Sequence, residues 1–158
     1  MSDPFSGPSE PPLSDALPRD QVTQALTRGA GRLLYELGYA SLTEFTLKSG
    51  RRADLIGLNA KGAIALIEVK SSLEDFRSDN KWPEYLDYCD RFYFAVPELF
   101  PQEVLPEDMG LMVADPFGAA VLREAPLMPL NAARRRSILL KFAHTAARRL
   151  GSLEQTLL

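Results

Sequence analysis

The apolar positions divide the chain into segments of two different periods. From Pro18 to Leu37, Val22, Leu26, Leu33 and Leu37 recur at spacings of four, seven and four, which keeps them on one face of a helix. Gly38 is placed as the C-terminal stop. Gly29 and Gly31 interrupt the pattern, each weakening the helix by roughly 1 kcal/mol relative to alanine unless close packing requires it. Strand-like stretches follow at Ser41–Leu47, Arg52–Leu58 and Ala63–Ser71, with Gly50 and Asn59-Ala60-Lys61-Gly62 as the turns between them. The third stretch is apolar on both faces until Glu68, which suits a central strand covered on both sides.

Ser72 with Asp75 three residues later resembles a capping box and starts a short helix. Asp79-Asn80 and Pro83 interrupt it, and Pro83 is placed to open a second helical piece through Cys89. Arg91–Val96 reads as a fourth strand rich in aromatics. Leu111–Ala114 and Ala119–Arg123 read as a final hairpin around Asp115-Pro116-Phe117-Gly118, and a long helix begins near Asn131. The order αβββαβ, followed by further elements, predicts a mixed α/β domain.

Length and composition narrow the picture. The 158 residues suit one domain with a proper core rather than two. Residues 1–17 hold four prolines among Ser, Gly and three acids with no Lys or Arg. They are expected to form a flexible tail, and not a signal or transit peptide, ahead of a single domain over 18–158. A lone cysteine excludes an internal disulfide, and no apolar run approaches the length of a membrane span. The expected compartment is the cytoplasm, without a membrane partner. A net charge of −3 argues against a protein that coats nucleic acid over its whole surface. Between Asn131 and Leu150, however, six basic residues stand without an acid, so a local basic patch on an acidic body is compatible with the composition.

The middle strands carry the chemistry. Glu68 and Lys70 are two apart on a strand and therefore share a face. If the hairpin is centred near Lys61, Asp54 stands opposite Glu68, whereas a slip of one residue would put the two carboxylates on opposite faces. Opposed carboxylates repel by up to about 1 kcal/mol, and a divalent cation between them removes that penalty. Two carboxylates completed by waters and a substrate phosphate are what Mg²⁺ (or Mn²⁺) accepts, and a lysine beside them adds charge where a phosphorane develops. Asp54, Glu68 and Lys70 are thus the candidate catalytic residues for phosphodiester hydrolysis, with Asp54 and Glu68 as metal ligands.

Asp54, thirteen intervening residues and then Glu68-Val69-Lys70 resemble the motif of the PD-(D/E)XK nuclease superfamily. More closely, Arg52-Ala53-Asp54, Ile67-Glu68-Val69-Lys70-Ser71-Ser72, Lys81-Trp82-Pro83-Glu84-Tyr85 and Tyr88-Cys89-Asp90-Arg91-Phe92 resemble the MmcB-type DNA repair family over roughly residues 20–150. The resemblance implies a restriction-endonuclease-like fold, an αβββαβ core with a mixed sheet flanked by helices plus a C-terminal helix. It also implies DNA as partner and a role in bacterial DNA repair, alongside other repair proteins. The superfamily's first-motif proline is replaced by Ala53.

A first-helix glutamate near the metal is a further implication of the resemblance. Glu36 borders the apolar arc of its helix and is the candidate, with Glu44 on the first strand as its competitor; either is equally a solvated surface charge. Lys81 and Tyr85 sit four apart with Trp82 between them, a set that suits contact with nucleic acid through base stacking, while Trp82 and Tyr85 also suit a core. In the terminal helix Arg134, Lys141 and Arg148 keep heptad spacing opposite an apolar arc, as a phosphate-tracking stripe or a solvated basic face. One histidine, His144, and Cys89 cannot assemble a four-ligand zinc site or a nucleophile–base pair with its signature. No phosphate-cradling glycine loop is present. Two function classes follow: a metal-dependent nuclease, or a non-catalytic DNA- or protein-binding repair accessory on a nuclease fold.

Overall fold

The computed structural model describes residues 18–158; the expected flexible tail over 1–17 lies outside them. Helix α1 (Arg19–Glu36) leads into strands β1 (Tyr39–Thr46), β2 (Arg52–Asn59) and β3 (Ile64–Val69). A short helix α2 (Leu73–Ser78), a 3₁₀ segment (Trp82–Tyr88), strands β4 (Arg91–Val96), β5 (Gly110–Ala114) and β6 (Ala119–Arg123), and helix α3 (Ala132–Leu157) complete the chain. The strands form one sheet in chain order. β1, β2 and β3 run antiparallel, β3, β4 and β5 run parallel, and β6 returns antiparallel. The αβββαβ order, the mixed sheet and the C-terminal helix expected of a restriction-endonuclease-like core are all present.

Local chemistry explains the boundaries. Gly38 takes φ +89 just past α1, where a side chain would be strained, and its N–H bonds back to the Tyr35 carbonyl. Ser72 caps α2 through the Asp75 N–H, and Asp75 in turn accepts from the Ser71 N–H. Asn131 caps α3 in the same way through the Arg134 N–H. At the β2–β3 turn the Asn59 side chain accepts from the N–H groups of Lys61 and Ala63, at 3.0 and 2.9 Å. That turn fixes the register Leu55↔Ile67 through Leu58↔Ile64, which is the one centred near Lys61.

β3 is buried along its whole length, as its two-sided apolar pattern predicts. Its alternate residues enter two cores. Ala65, Ile67 and Val69 pack with α1 through Val22, Leu26, Ala30 and Leu34. Ile64 and Leu66 pack with Tyr85, Phe92, Phe94 and, from α3, Ile138 and Phe142. The α3 helix is pinned to this second face by Asp90, whose carboxylate accepts from both terminal nitrogens of Arg135 (2.7 and 2.6 Å) and from the N–H groups of Ile64 and Leu130. Gly29 lets α1 touch the β5–β6 hairpin, since a Cβ there would lie 1.9 Å from the Asp115 carbonyl oxygen. No helix of the described residues is long and apolar enough to cross a membrane.

Candidate active site

Glu68 and Lys70 extend the alternation of Ile64 and Leu66, so both belong to the face that carries α3. The β2–β3 ladder ends at Leu55↔Ile67, one residue short of Asp54 and Glu68. There the Asp54 carboxylate replaces the missing strand partner, accepting from the Val69 N–H at 2.8 Å. Asp54 and Glu68 thus meet where the strands part, with their carboxyl groups within hydrogen-bonding reach of each other. Glu68 is only 7% exposed. Burial first, then the hydrogen bond and negative charge of Asp54, push its carboxyl up to about 10 against the opposing pull of Lys70. The Tyr85 hydroxyl donates to the Arg52 carbonyl at 3.0 Å and lies within reach of Glu68. Burial and then the Glu68 charge raise that phenol above its ordinary value.

Lys70 is 6% exposed, and a buried ammonium needs an anion. It finds Asp79, with Nζ 2.6 Å from the carboxylate. Asp79 also accepts from the N–H groups of Lys81 and Trp82. Burial alone would raise its carboxyl, but the Lys70 hydrogen bond and these backbone donors outweigh it and hold Asp79 below the usual range. Sequence reading treats Asp79 as a helix breaker and misses this role. The available signal is the lysine itself, which ends a fully buried strand and demands a nearby acid.

Several residues singled out in the sequence lie elsewhere. Glu36 is a correction. It is exposed at the end of α1, which covers the opposite face of the sheet, and it borders a cleft with Tyr35, Tyr39 and Phe117 rather than Asp54. The wheel places it beside an apolar arc but cannot say which face of the sheet that arc covers. Glu44 sits in β1 between the pairs Thr43↔Leu55 and Phe45↔Ala53, hence level with Asp54, at φ +48 and with its side chain exposed. Its carbonyl and that of Thr43 accept from Arg149. Among the described residues no three His, Cys, Asp or Glu side chains converge as a metal cage, so neither glutamate completes the pair.

The expected stacking surface is a second correction. Trp82 stacks on Phe92 with centroids 5.8 Å apart and meets Phe94 edge-on, and Tyr85 is buried beside them. These rings are core. The segment is 3₁₀ rather than α, so the expected four-residue face shared by Lys81 and Tyr85 does not form; Lys81 is exposed. In α3, Lys141 and Arg148 are exposed, whereas Arg134 lies over the Tyr88 ring at 4.6 Å. Cys89 is fully buried and its thiol is pushed up to about 12, chiefly by burial, so it is no nucleophile.

Two carboxyls, the Glu68 one pushed well above its ordinary range, and a buried ammonium thus gather on one face of a mixed α/β sheet as an Asp…Glu-x-Lys cluster. The chain belongs to the MmcB-like family, described as DNA repair protein MmcB-like, whose family model matches residues 9–157. Among solved structures, the chain is similar to the SPO1766 protein of unknown function from Silicibacter pomeroyi, with 45% identity and a TM-score of 0.81 over 87% of this chain and 92% of that one. A repair endonuclease from Pyrococcus abyssi matches at 19% identity and a TM-score of 0.41, covering 63% of this chain and 47% of that one. No curated protein matches the chain.

Proposed function

We propose that this protein is a divalent-metal-dependent nuclease acting on DNA in repair, with Asp54 and Glu68 as ligands of Mg²⁺ or Mn²⁺ and Lys70 as the charge beside the reacting phosphate. The observation that carries the reading is the carboxyl pair at the point where β2 and β3 separate. A fold under no functional demand gains nothing from forcing two acids together beside a buried lysine, because burial and the charge of Asp54 both oppose the ionisation of Glu68.

The donor set fits a hard cation that keeps several waters and takes one or two carboxylates. When bound, that cation supplies an acidified water and neutralises charge on the phosphate. The chain's own residues do the rest. The Val69 N–H fixes one oxygen of Asp54, which orients the other. Tyr85 and Asp54 hold Glu68 in place, and Glu68 releases its proton on ligation. Asp79 holds the Lys70 ammonium on the face of the carboxyl pair, where it stabilises a developing anion.

A non-catalytic, DNA- or protein-binding accessory is the second reading. It is favoured by the Lys70–Asp79 ion pair, which gives the lysine a structural partner. Incubating the protein with single-stranded, duplex, flapped and branched DNA and with RNA, in Mg²⁺, Mn²⁺ or chelator, separates the two. The expected result is metal-dependent cleavage, abolished by Asp54→Asn and by Glu68→Gln. Lys70→Met/Asp79→Asn, which removes the ion pair without stranding Asp79, should keep metal binding and lose about 10²–10³ in rate. A folded, metal-loaded protein that cuts none of these substrates overturns the hydrolytic reading.

A further inference from the structure

The two glycines of α1 have different explanations. Gly29 admits the backbone of the β5–β6 turn, whereas a Cβ at Gly31 would meet none of the described residues within 4 Å. Among the described residues nothing packs against Gly31 to account for the helix penalty that glycine carries there. It lies in an open cleft of about 580 Å³, on the opposite face of the sheet from Asp54 and Glu68, with Arg28, Arg32, Tyr35 and Phe117 around it. Arg28, Arg32 and Tyr35 occupy one side of the helix at spacings of four and three. Tyr35 is 82% and Phe117 78% exposed.

Phe117 is held outward by a built turn. Asp115 accepts from the N–H groups of Phe117 and Gly118 (2.7 and 3.0 Å), Gly29 packs beneath it, and Arg32 donates to the Phe117 carbonyl. Single exposed aromatics are ordinary. Two of them at one cleft, with two arginines and a missing side chain between, make the combination that binds unpaired strands: rings for bases and guanidiniums for phosphates. Among the described residues Glu36 is the one acid lining the cleft, beside two arginines; it offers an acceptor to an exocyclic amine.

We propose that this cleft is a binding site for a single-stranded polynucleotide, with bases stacked on Tyr35 and Phe117 and backbone phosphates at Arg28 and Arg32. The site goes beyond the hydrolytic reading and does not depend on it, since binding is measured in chelator, where no cleavage occurs.

The test is fluorescence anisotropy of the full chain with labelled oligo-dT and oligo-rU, in EDTA, across a salt series. Tyr35→Ala/Phe117→Ala should weaken binding about tenfold or more, the scale of base–aromatic stacking. Arg28→Gln/Arg32→Gln should flatten the slope of log affinity against log salt by about 1.4, at about 0.7 per lost single-strand phosphate contact. Gly31→Leu fills the cleft with a good helix former; it should raise Tm by about 2–4 °C yet lose affinity as the aromatic pair does. A response confined to one of the two oligonucleotides supports the proposal for that polynucleotide. Natively folded Tyr35→Ala/Phe117→Ala protein that binds both oligonucleotides within twofold of wild type overturns the proposal. So does loss of binding to the arginine changes alone with equal affinity for polyglutamate, which would mark a surface that responds to charge only.

Discussion

The metal-free carboxyl pair makes a prediction that needs no substrate. Glu68 has an ordinary carboxyl value of 4.5 in the unfolded chain and is pushed up to about 10 in the fold. Its raised value means that the stability it contributes is complete below the unfolded value and is lost as pH rises toward the folded one. Between those limits the native state holds one more proton than the unfolded state, so stability falls by up to about 1.4 kcal/mol per pH unit. Glu68→Gln mimics the neutral acid at every pH and removes that slope. Urea unfolding in EDTA from pH 5 to pH 8 should therefore show the variant gaining on wild type by about 1 kcal/mol with each unit. Near pH 4.5 the two should coincide, apart from the small cost of the amide. Adding Mg²⁺ or Mn²⁺ should narrow the gap at pH 8 and reverse the ranking near pH 6. Wild type gains RT ln(1 + [L]/Kd), about 2.7 kcal/mol at one hundred times Kd, and the variant gains little because it lacks a ligand charge. Parallel pH profiles in EDTA would mean that Glu68 ionises freely and that the two carboxyls are not in contact. Equal stabilisation by metal would remove Glu68 from the ligand set.

The basic stripe of α3 and the anchor of that helix give two more tests. Replacing Arg134, Lys141 and Arg148 by alanine should flatten the salt dependence of duplex binding by about 1.8, two contacts at about 0.9 each. Two are expected rather than three because Arg134 is engaged over Tyr88; an unchanged slope returns the helix to a solvated face. Asp90→Ala strands Arg135 and two backbone N–H groups and should cost about 3–5 kcal/mol in chemical denaturation, so a loss below about 1 kcal/mol refutes its anchoring role. Burial would raise the Asp90 carboxyl, but Arg135 and the N–H donors hold it below 3.8. Its contribution is thus present above the unfolded value and fades as pH falls through the lower folded one, an acid-side loss that Asp90→Asn should lack.

What the sequence makes legible is what depends on neighbours along the chain. The hairpin register follows from a four-residue turn, because Asn59 and Gly62 leave the strands one way to pair. With the register fixed, Asp54 and Glu68 must meet. The helix stops at Gly38, and the caps at Ser72 and Asn131 are local for the same reason. Residues whose role is set by the opposite face are illegible. Glu36 borders an apolar arc, yet that arc covers the sheet from the side away from Glu68. Trp82 carries the same indole whether it stacks on a base or on Phe92, and only the fold of β4 beneath it decides. Pro83 correctly opens a helical piece, but the segment winds as 3₁₀, which shifts every face assigned with an α period.

The same division applies to exposure. Residue type and helical spacing do not report burial, so a reading from them overvalues Trp82 and Tyr85 as binding rings and passes over Tyr35 and Phe117. Tyr35 lies off the apolar face of α1, and Phe117 lies in a turn; each position signals exposure, but neither shows that the two share a cleft. The sequence does carry one clue to that cleft. A helix that can hold alanine at a position, and holds glycine instead, either packs against something there or leaves room for something. Gly29 is explained by the Asp115 and Gly118 carbonyls a short distance away. Gly31, two positions later with open space above it, has no neighbour among the described residues to account for it, and the residues around it are those that receive bases and phosphates.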